Sequence, residues 1–355
     1  MHEDRRAFLD ELLATATPSG FETAGQRVFV DHVADHADEV RTDAYGNAVA
    51  VYQGDPDTDC SVVLAGHGDE IGLMVRDVTS EGFLKLTRVG GADKTVTRGQ
   101  YVTVHGRDGP VSGVVGQTAI HLRDGDGSDD DEINEMHVDV GADDEEAARE
   151  LVEVGDPITF DTTVKDLDGS LVAARGMDNR TGVWAAAEGF RRAVAADAAA
   201  TVYAVSTVQE EIGRKGARMV GYDLDPDVVV AADVTHATDT PEAPGKKGSG
   251  IELGEGPVVG RGSANHPVVV EAVRSVADDE DVPVQLSAAG SDTGTDAESF
   301  YISRSGIASL NVAIPNRYMH TPVEVIDTAD LNRVAELMGD FAARAESFAP
   351  FEVEV

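Results

Sequence analysis

The chain has 355 residues, of which 41% are hydrophobic, and it carries a formal net charge of −38 at pH 7. This length and apolar content support a large buried core and more than one domain. No segment reaches the roughly 18 consecutive apolar residues that a membrane-spanning helix needs, and the first residues, MHEDRRAFLDELL, are too charged for a signal peptide. We therefore expect a soluble, cytoplasmic protein. The negative charge argues against nucleic acid and anionic membranes as partners.

The basic residues are unusual because only six of the 28 are lysines: Lys85, Lys94, Lys165, Lys215, Lys246 and Lys247. The acidic residues are spread along the whole chain and do not form one tail. Such a surface repels itself at low salt and is screened as the ionic strength rises. The composition predicts a halophilic protein that loses fold and activity below molar salt.

The first part of the chain predicts two helices followed by buried strands. Phe8, Leu9, Leu12 and Leu13 form one helical stripe that ends near Thr17-Pro18-Ser19-Gly20, and a second helix is predicted from about Glu22 to Ala37. From Asn47 the pattern is that of strands, NAVAVYQG and SVVLAGHGDEIG. The second strand is apolar and ends abruptly at a Gly-His-Gly-Asp turn, which predicts a buried strand with polar groups at its tip.

The segment 70–166 has a different character. Short β-rich pieces such as GFLKLTRV, QYVTVHG and GPVSGVVGQ are separated by glycine turns, which predicts an inserted all-β domain. Within it, RDGDGSDDDEINE (Arg123 to Glu135) superficially resembles a calcium loop, but the EF-hand spacing is not met in register. A mobile, solvated loop is the favoured interpretation.

After Asp166 strands alternate with helices. Helices are predicted at about 179–195, 213–220 and 266–277, and strands at TVYAVSTV and DVVVAADV. This alternation predicts an α/β domain with a mostly parallel sheet flanked by helices. The glycine-rich segment PGKKGSGIELGEGPVVGRG lacks the spacing and context of a phosphate-binding loop, so nucleotide binding is discarded.

Acidic residues and histidines follow the apolar strands at their predicted ends: His67, Asp69, Glu210, Glu211, Asp233 and His320. In open α/β sheets ligands bind beyond the carboxyl ends of the strands, so these side chains are expected to share one site. Buried carboxylates without enough Lys or Arg nearby need a cation. Mixed imidazole and carboxylate ligands favour Zn²⁺ or Co²⁺, with Mn²⁺ a further choice, over Ca²⁺ or Mg²⁺.

The adjacent carboxylates Glu210 and Glu211 are expected to point in different directions at the end of a strand. One can then bind a metal ion while the other accepts a proton from water. This division predicts hydrolysis of a peptide or ester bond. An isolated Asp such as Asp178 would more often be a helix N-cap, so only the whole constellation favours a metal site.

Six segments in this order resemble the motif series of the tetrahedral (TET) aminopeptidases, di-metal exopeptidases related to deblocking and glutamyl aminopeptidases: AGHGDEIG, RGMDNRTG, VQEEIGRKGA, ADVTHA, SDTGTDA and RYMHTPVEV. The resemblance runs from TPSGFE (Thr17 to Glu22) to His320-Thr321-Pro322. One departure is Gly68, where the family often has Met.

The resemblance implies a role for each matching residue. His67, Asp178 and Asp233 would hold one metal ion, and Asp178 would bridge to a second ion held by Glu211 and His320. Glu210 matches the general base, and Asp69 matches a carboxylate that orients the imidazole of His67. The implied reaction removes residues from peptides with a free N-terminus, and Glu210 passes a proton from water to the leaving amine.

The family also implies an architecture and an assembly. Residues 1–69 and 167–355 would form the catalytic domain, and residues 70–166 would form a small β-barrel-like dimerisation domain. Family members assemble from dimers into tetrahedral dodecamers, and the loop His121 to Glu135 would reach a neighbouring active site.

Three alternatives were weighed against this interpretation. A di-metal carboxypeptidase or N-acyl amino-acid deacylase would need a cationic clamp for the substrate carboxylate, for which Arg180 and Arg317 are candidates. A non-catalytic metal-binding assembly protein is expected to lack the base, whereas Glu210 is present. A glucanase would need two carboxylates free to flank a sugar, and the proposed metal ligands occupy them.

Overall fold

The structure is a computed structural model that describes residues 1–123, 132–241, 243 and 250–355. Most of the acidic loop predicted at Arg123 to Glu135, and part of the glycine-rich segment after Pro244, lie outside the described residues. No helix in the described part of the chain is long and apolar enough to cross a membrane.

The helices are α1 (Glu3–Ala14), α2 (Thr23–Val33), α3 (Lys94–Thr97), α4 (Glu145–Leu151), α5 (Met177–Ala195), α6 (Lys215–Leu224), α7 (Pro267–Asp279), α8 (Asp296–Tyr301) and α9 (Thr328–Arg344). Short 3₁₀ turns lie at Ala34–His36, Ile120–Leu122, Ile133–Glu135 and Ala345–Phe348. The second helix is thus shorter than predicted, since its last turn tightens into the 3₁₀ turn after Val33. The helix predicted at 213–220 begins at Lys215, because Gly213 and Arg214 have positive φ angles that a helix does not tolerate.

The strands are β1 (Glu39–Thr42), β2 (Ala48–Tyr52), β3 (Ser61–His67), β4 (Gly72–Val78), β5 (Leu84–Val89), β6 (Tyr101–Gly106), β7 (Gly109–Val115), β8 (His137–Asp139), β9 (Pro157–Phe160), β10 (Lys165–Asp166), β11 (Leu171–Ala174), β12 (Thr201–Thr207), β13 (Val228–His236), β14 (Val258–Arg261), β15 (Gln285–Ala288), β16 (Ala308–Asn316) and β17 (Glu324–Asp327).

Among the described residues, eight strands form the main sheet in the order β1-β2-β12-β3-β13-β16-β14-β15. Its centre, β12-β3-β13-β16, is parallel, and antiparallel pairs occur towards both edges. The α/β class and the mostly parallel sheet predicted from the alternation of strands and helices are confirmed. The parallel centre brings the carboxyl ends of four strands to one edge.

Helices cover both faces of this sheet. Along β3, Val62 and Leu64 belong to the larger apolar cluster shared with α1, α2, α5, α7 and α9, while Val63 and Ala65 face α6 and α8 on the other side. Alternate side chains of a strand point to opposite faces, so a strand buried on both faces must be apolar throughout. That requirement explains the uninterrupted run SVVLA.

Strands β4, β5, β8, β7, β6 and β9 close into a barrel with its own apolar core, which includes Leu73, Leu86, Val102 and Ile158. All of its strands fall within the predicted interval 70–166. The β-barrel-like character expected there is confirmed.

Candidate active site

The carboxyl edge of the parallel strands carries the candidate side chains. His67 is the last residue of β3, Glu210 and Glu211 lie in the turn after β12, and His320 lies in the turn between β16 and β17. Asp233 lies inside β13, which continues to His236 because its pairing with β16 extends to Asn316. The five predicted metal ligands and Glu210 all line one cavity of about 490 Å³.

Two sets of three residues place ligand atoms close enough to surround one ion each. His67, Asp178 and Asp233 form the first set, and Asp178, Glu211 and His320 form the second, with ligand atoms within 4.8 Å of one another. Asp178 belongs to both sets: its Oδ1 lies 3.1 Å from His67 Nε2, and its Oδ2 lies 3.3 Å from His320 Nε2. This is the pairing that the resemblance implied.

The oxygens of these carboxylates have few protein donors. Asp178 Oδ1 and Glu211 Oε1 are buried and accept no hydrogen bond of normal geometry from a described residue. A buried carboxylate oxygen in this state costs several kcal/mol unless a cation compensates it. The donor set therefore fits divalent metal ions.

The protonation equilibria reflect the same crowding of charge. Burial, together with the neighbouring carboxylates, raises the pKa of Asp233 to about 8 and that of Glu210 to about 9. Burial disfavours the His67 cation, but contacts with Asp178 and Asp69 outweigh it and raise the pKa of this imidazole. In the protein without metal, protons thus replace cations at the cluster.

Asp69 does not line the cavity, but it connects the segments that carry the cavity's side chains. Its Oδ1 accepts from the Glu210 N–H at 3.0 Å, and its Oδ2 accepts from the Glu211 N–H at 3.1 Å. The Ser19 hydroxyl also donates to Oδ2, and His67 Nδ1 lies 3.3 Å from Oδ1. One buried carboxylate thereby fixes the turn that carries both glutamates and contacts the imidazole on β3.

Glu324 is a second organising carboxylate, and the sequence interpretation missed it. Its Oε2 accepts from the Asp178 N–H at 3.2 Å, and its Oε1 accepts from the His320 N–H at 2.9 Å. The side chain is buried at the start of β17. Nothing in the sequence VEVID distinguishes this glutamate, because its partners are defined only by the fold. Asp178 lies 146 residues away in the sequence, and His320 lies 4 residues away in a turn.

The backbone around the cavity adopts conformations that non-glycine residues rarely use. Gln209, Arg214 and His320 have φ angles of 58°, 53° and 63°. Such residues persist only where the surroundings hold them, and they cluster at functional sites. Beside His320, Gly91 leaves the space for the ring, because a Cβ there would lie 2.5 Å from His320 Nδ1.

The two arginines considered as substrate clamps are not available to the cavity. Arg180 is 1% exposed, donates to Thr17 Oγ1 and is paired with Glu70. Arg317 makes two hydrogen bonds to the carboxylate of Asp239, at 2.7 and 2.6 Å. Neither lines the cavity, so neither is placed to act as the clamp that a carboxypeptidase or deacylase would need.

The sequence is similar to those of known proteins over most of its length. Residues 46–337 match the family model described as M42 glutamyl aminopeptidase. The lysyl aminopeptidase of Pyrococcus furiosus is 34% identical over 336 residues, which cover 93% of this chain and 94% of that protein.

Two solved structures extend the likeness to the whole fold. A TET aminopeptidase from a marine-sediment Thaumarchaeota archaeon is 29% identical, with a TM-score of 0.92 over 99% of this chain and 100% of that chain. A TET peptidase of Pyrococcus horikoshii, which can assemble into a tetrahedron or a large octahedral shell, is 28% identical, with a TM-score of 0.84 over 95% of this chain and 99% of that one.

Proposed function

This chain belongs to the M42 family and is a metallo-aminopeptidase, and from that premise we propose that it removes N-terminal residues from peptides with Glu210 as the general base. The observation that carries the proposal is the position of Glu210. Its carboxylate lines the cavity beside both three-residue sets, with Oε2 4.0 Å from His67 Nε2. Glu210 belongs to neither set, so it stays free to move a proton.

Two divalent ions per subunit fit the two sets. His67, Asp178 and Asp233 would hold one, and Asp178, Glu211 and His320 would hold the other, because the ligand atoms of each set lie within 4.8 Å of one another. Members of the family are metal-dependent. The mixture of two imidazoles with carboxylates favours Zn²⁺ or Co²⁺, and then Mn²⁺. When bound, the ions supply a Lewis acid for the scissile carbonyl and lower the pKa of water.

The protein's own groups supply the proton transfers and the alignment. Glu210 accepts a proton from the attacking water and gives it to the nitrogen of the leaving residue. Asp69 holds the backbone of Glu210 and contacts the imidazole of His67, so the base and this ligand keep a fixed relation. Glu324 holds the backbone N–H groups of Asp178 and His320 in the same way.

The experiment that tests the proposal uses chelated protein reloaded with Zn²⁺, Co²⁺ or Mn²⁺ in high salt. We expect hydrolysis of aminoacyl-p-nitroanilides with a free amine, and none of N-acetyl-leucine or of a peptide with a blocked N-terminus. Cleavage of the blocked compounds at a comparable rate would favour the deacylase instead. Activity that survives complete chelation would contradict the metal mechanism.

Glu324→Gln is expected to weaken metal binding by about 10- to 100-fold, because partners that orient ligands contribute on that scale. The glutamine keeps one acceptor, but its amide NH₂ then faces the N–H of Asp178 or His320. Titration of the chelated protein with Zn²⁺ measures the change. Glu352→Gln, in the exposed C-terminal segment, is the control, and equal affinities of the two variants would show that Glu324 does not position the ligands.

The chelated protein is expected to lose thermal stability as the pH rises from 5 to 9. Burial raises the folded pKa of Asp233 from 3.8 to about 8, so within this range the folded state holds a proton that the unfolded state has released. The raised pKa of Glu210 and that of His67 act in the same direction. The pKa values of Asp69 and Glu70 are lowered, so their contribution to the stability of the protein is lost only at acidic pH.

Melting temperatures of the chelated and the metal-loaded protein across this pH range test the expectation. The loaded protein should show a flatter profile, since cations replace the protons. Chelated Asp233→Asn should also be flatter than the chelated wild type. A chelated wild type that becomes more stable with rising pH would be inconsistent with the assignment.

We also propose that residues 70–166 act as a dimerisation domain and that dimers assemble into a tetrahedral dodecamer. Support comes from large apolar side chains exposed on or next to the barrel, among them Tyr101, Val114, Ile120 and Leu122. Tyr101 and Val114 are direct partners across β6 and β7. The solved relative from Pyrococcus horikoshii assembles into closed shells.

We propose that the enzyme is cytoplasmic. We also expect it to need high salt, on the basis of its net charge of −38 and its few lysines. Dialysis to tens of millimolar salt, followed by an activity assay, tests the salt requirement.

A further inference from the structure

Arg214 is the one Lys or Arg among the described residues that line the catalytic cavity. It caps the N-terminus of α6, and its φ angle of 53° is unusual for a residue with a side chain. The other charged side chains of the lining are the histidines and the carboxylates Asp178, Glu210, Glu211 and Asp233. A guanidinium cannot bind a metal ion, so the presence of Arg214 in this cavity needs another explanation.

Glu298 holds this guanidinium in place. Arg214 Nη1 donates to Glu298 Oε2 at 2.8 Å, and Glu298 Oε1 accepts from the N–H groups of Thr293 and Gly294, which also line the cavity. The side chain of Arg214 remains 30% exposed, and no described residue accepts from its Nε or Nη2. Those donors are therefore free for a ligand, and the guanidinium is already oriented.

The backbone links Arg214 closely to the proposed base. The Arg214 N–H donates to the Glu210 carbonyl at 2.8 Å, so Arg214 follows Glu210 by one tight turn. As the proposed base, Glu210 must reach the nitrogen of the leaving residue. On the proposed aminopeptidase function, on which this step rests, Arg214 then faces the leaving residue and not the N-terminal side chain.

We propose that Arg214 is a specificity-determining residue that binds a carboxylate of the residue following the scissile bond. Guanidinium and carboxylate form charge-assisted hydrogen bonds, and the planar donor fork matches two carboxylate oxygens. The carboxylate comes either from the free C-terminus of a dipeptide or from an acidic side chain. The enzyme would thus favour dipeptides, or peptides with Asp or Glu in second position.

The test compares the metal-loaded wild type with Arg214→Gln, which removes the charge and keeps a donor for Glu298. The substrates are Leu-Gly and Leu-Gly-amide, Leu-Glu-amide and Leu-Gln-amide, and leucyl-p-nitroanilide, which carries no carboxylate. We expect Arg214→Gln to lower kcat/KM by about tenfold for the carboxylate-bearing member of a pair, the scale of one charge-assisted hydrogen bond. The uncharged member should change less than about twofold.

The pair that responds identifies the source of the carboxylate. A selective loss for Leu-Gly over its amide assigns the C-terminus, and a selective loss for Leu-Glu-amide over Leu-Gln-amide assigns the acidic side chain. Arg214→Lys, which restores the charge, should recover part of the loss. Equal losses on all substrates, or a selective loss on glutamyl-p-nitroanilide relative to leucyl-p-nitroanilide, would overturn the proposal.

Arg218→Gln is the matched control, because Arg218 lies one turn further along α6. It borders a neighbouring cavity that Arg214 also touches, but it does not line the catalytic cavity. This variant should behave as the wild type on all six substrates, glutamyl-p-nitroanilide included. Failure of the aminopeptidase function is separately visible, as a metal-loaded wild type that hydrolyses neither leucyl-p-nitroanilide nor Leu-Gly.

Discussion

Glu210→Gln is expected to lower kcat by about 10²- to 10⁴-fold, the range for loss of a positioned general base. Glutamine preserves the size of the side chain and cannot accept the proton of the attacking water. KM and metal content should change little, because Glu210 belongs to neither set of ligand atoms. Initial rates on leucyl-p-nitroanilide give kcat and KM, and elemental analysis of the dialysed protein gives the metal content.

Glu211→Gln is the matched control, since it removes one carboxylate charge at the adjacent position of the same turn. Glu211 Oε1 lies 3.7 Å from His320 Nε2 and contributes to the second set. This variant should lose metal, and added Zn²⁺ or Co²⁺ should restore part of its activity. Added metal should not rescue Glu210→Gln. A Glu210→Gln enzyme with wild-type kcat would exclude Glu210 as the general base.

Much of the site was predictable because a strand buried on both faces leaves little freedom in sequence. The run SVVLA leads into His67 at the end of β3, and parallel pairing brings that end beside the end of β12 and close to the part of β13 that carries Asp233. His320 follows a different logic. It lies in a turn with a positive φ angle, and without the family resemblance no periodicity distinguishes it from a loop histidine.

Closure of the barrel and the partners of individual charged residues depend on contacts between residues that are far apart in the sequence. The β4–β9 pairing joins Leu73 to Ile158, and alternating apolar residues predict the strands but not their partners. Arg180 shows the same limit. It was a candidate substrate clamp, yet it pairs with Glu70, 110 positions away in the sequence. The residues that organise a site are thus harder to predict than those that perform its chemistry.

Asp178→Asn is expected to lower activity by about 10³-fold and to reduce the bound metal from two ions per subunit to one or none. Each carboxylate oxygen of Asp178 faces one imidazole: Oδ1 lies beside His67 and Oδ2 beside His320. Asparagine offers one oxygen, and its NH₂ group would point towards the second ion. No rotation of the amide satisfies both sets.

Asp233→Asn separates the bridging role from a simple loss of charge. Asp233 belongs only to the set with His67. Its loss should therefore weaken the binding of one ion and leave the other ion bound, which gives half the wild-type metal content. Metal titrations of the two variants, followed by elemental analysis, distinguish these outcomes. If Asp178→Asn kept two tightly bound ions, Asp178 would not be a bridge. The two sets would then have to bind their ions independently. That outcome would conflict with the structure, in which both sets share the buried carboxylate of Asp178 and its Oδ1 accepts no hydrogen bond of normal geometry.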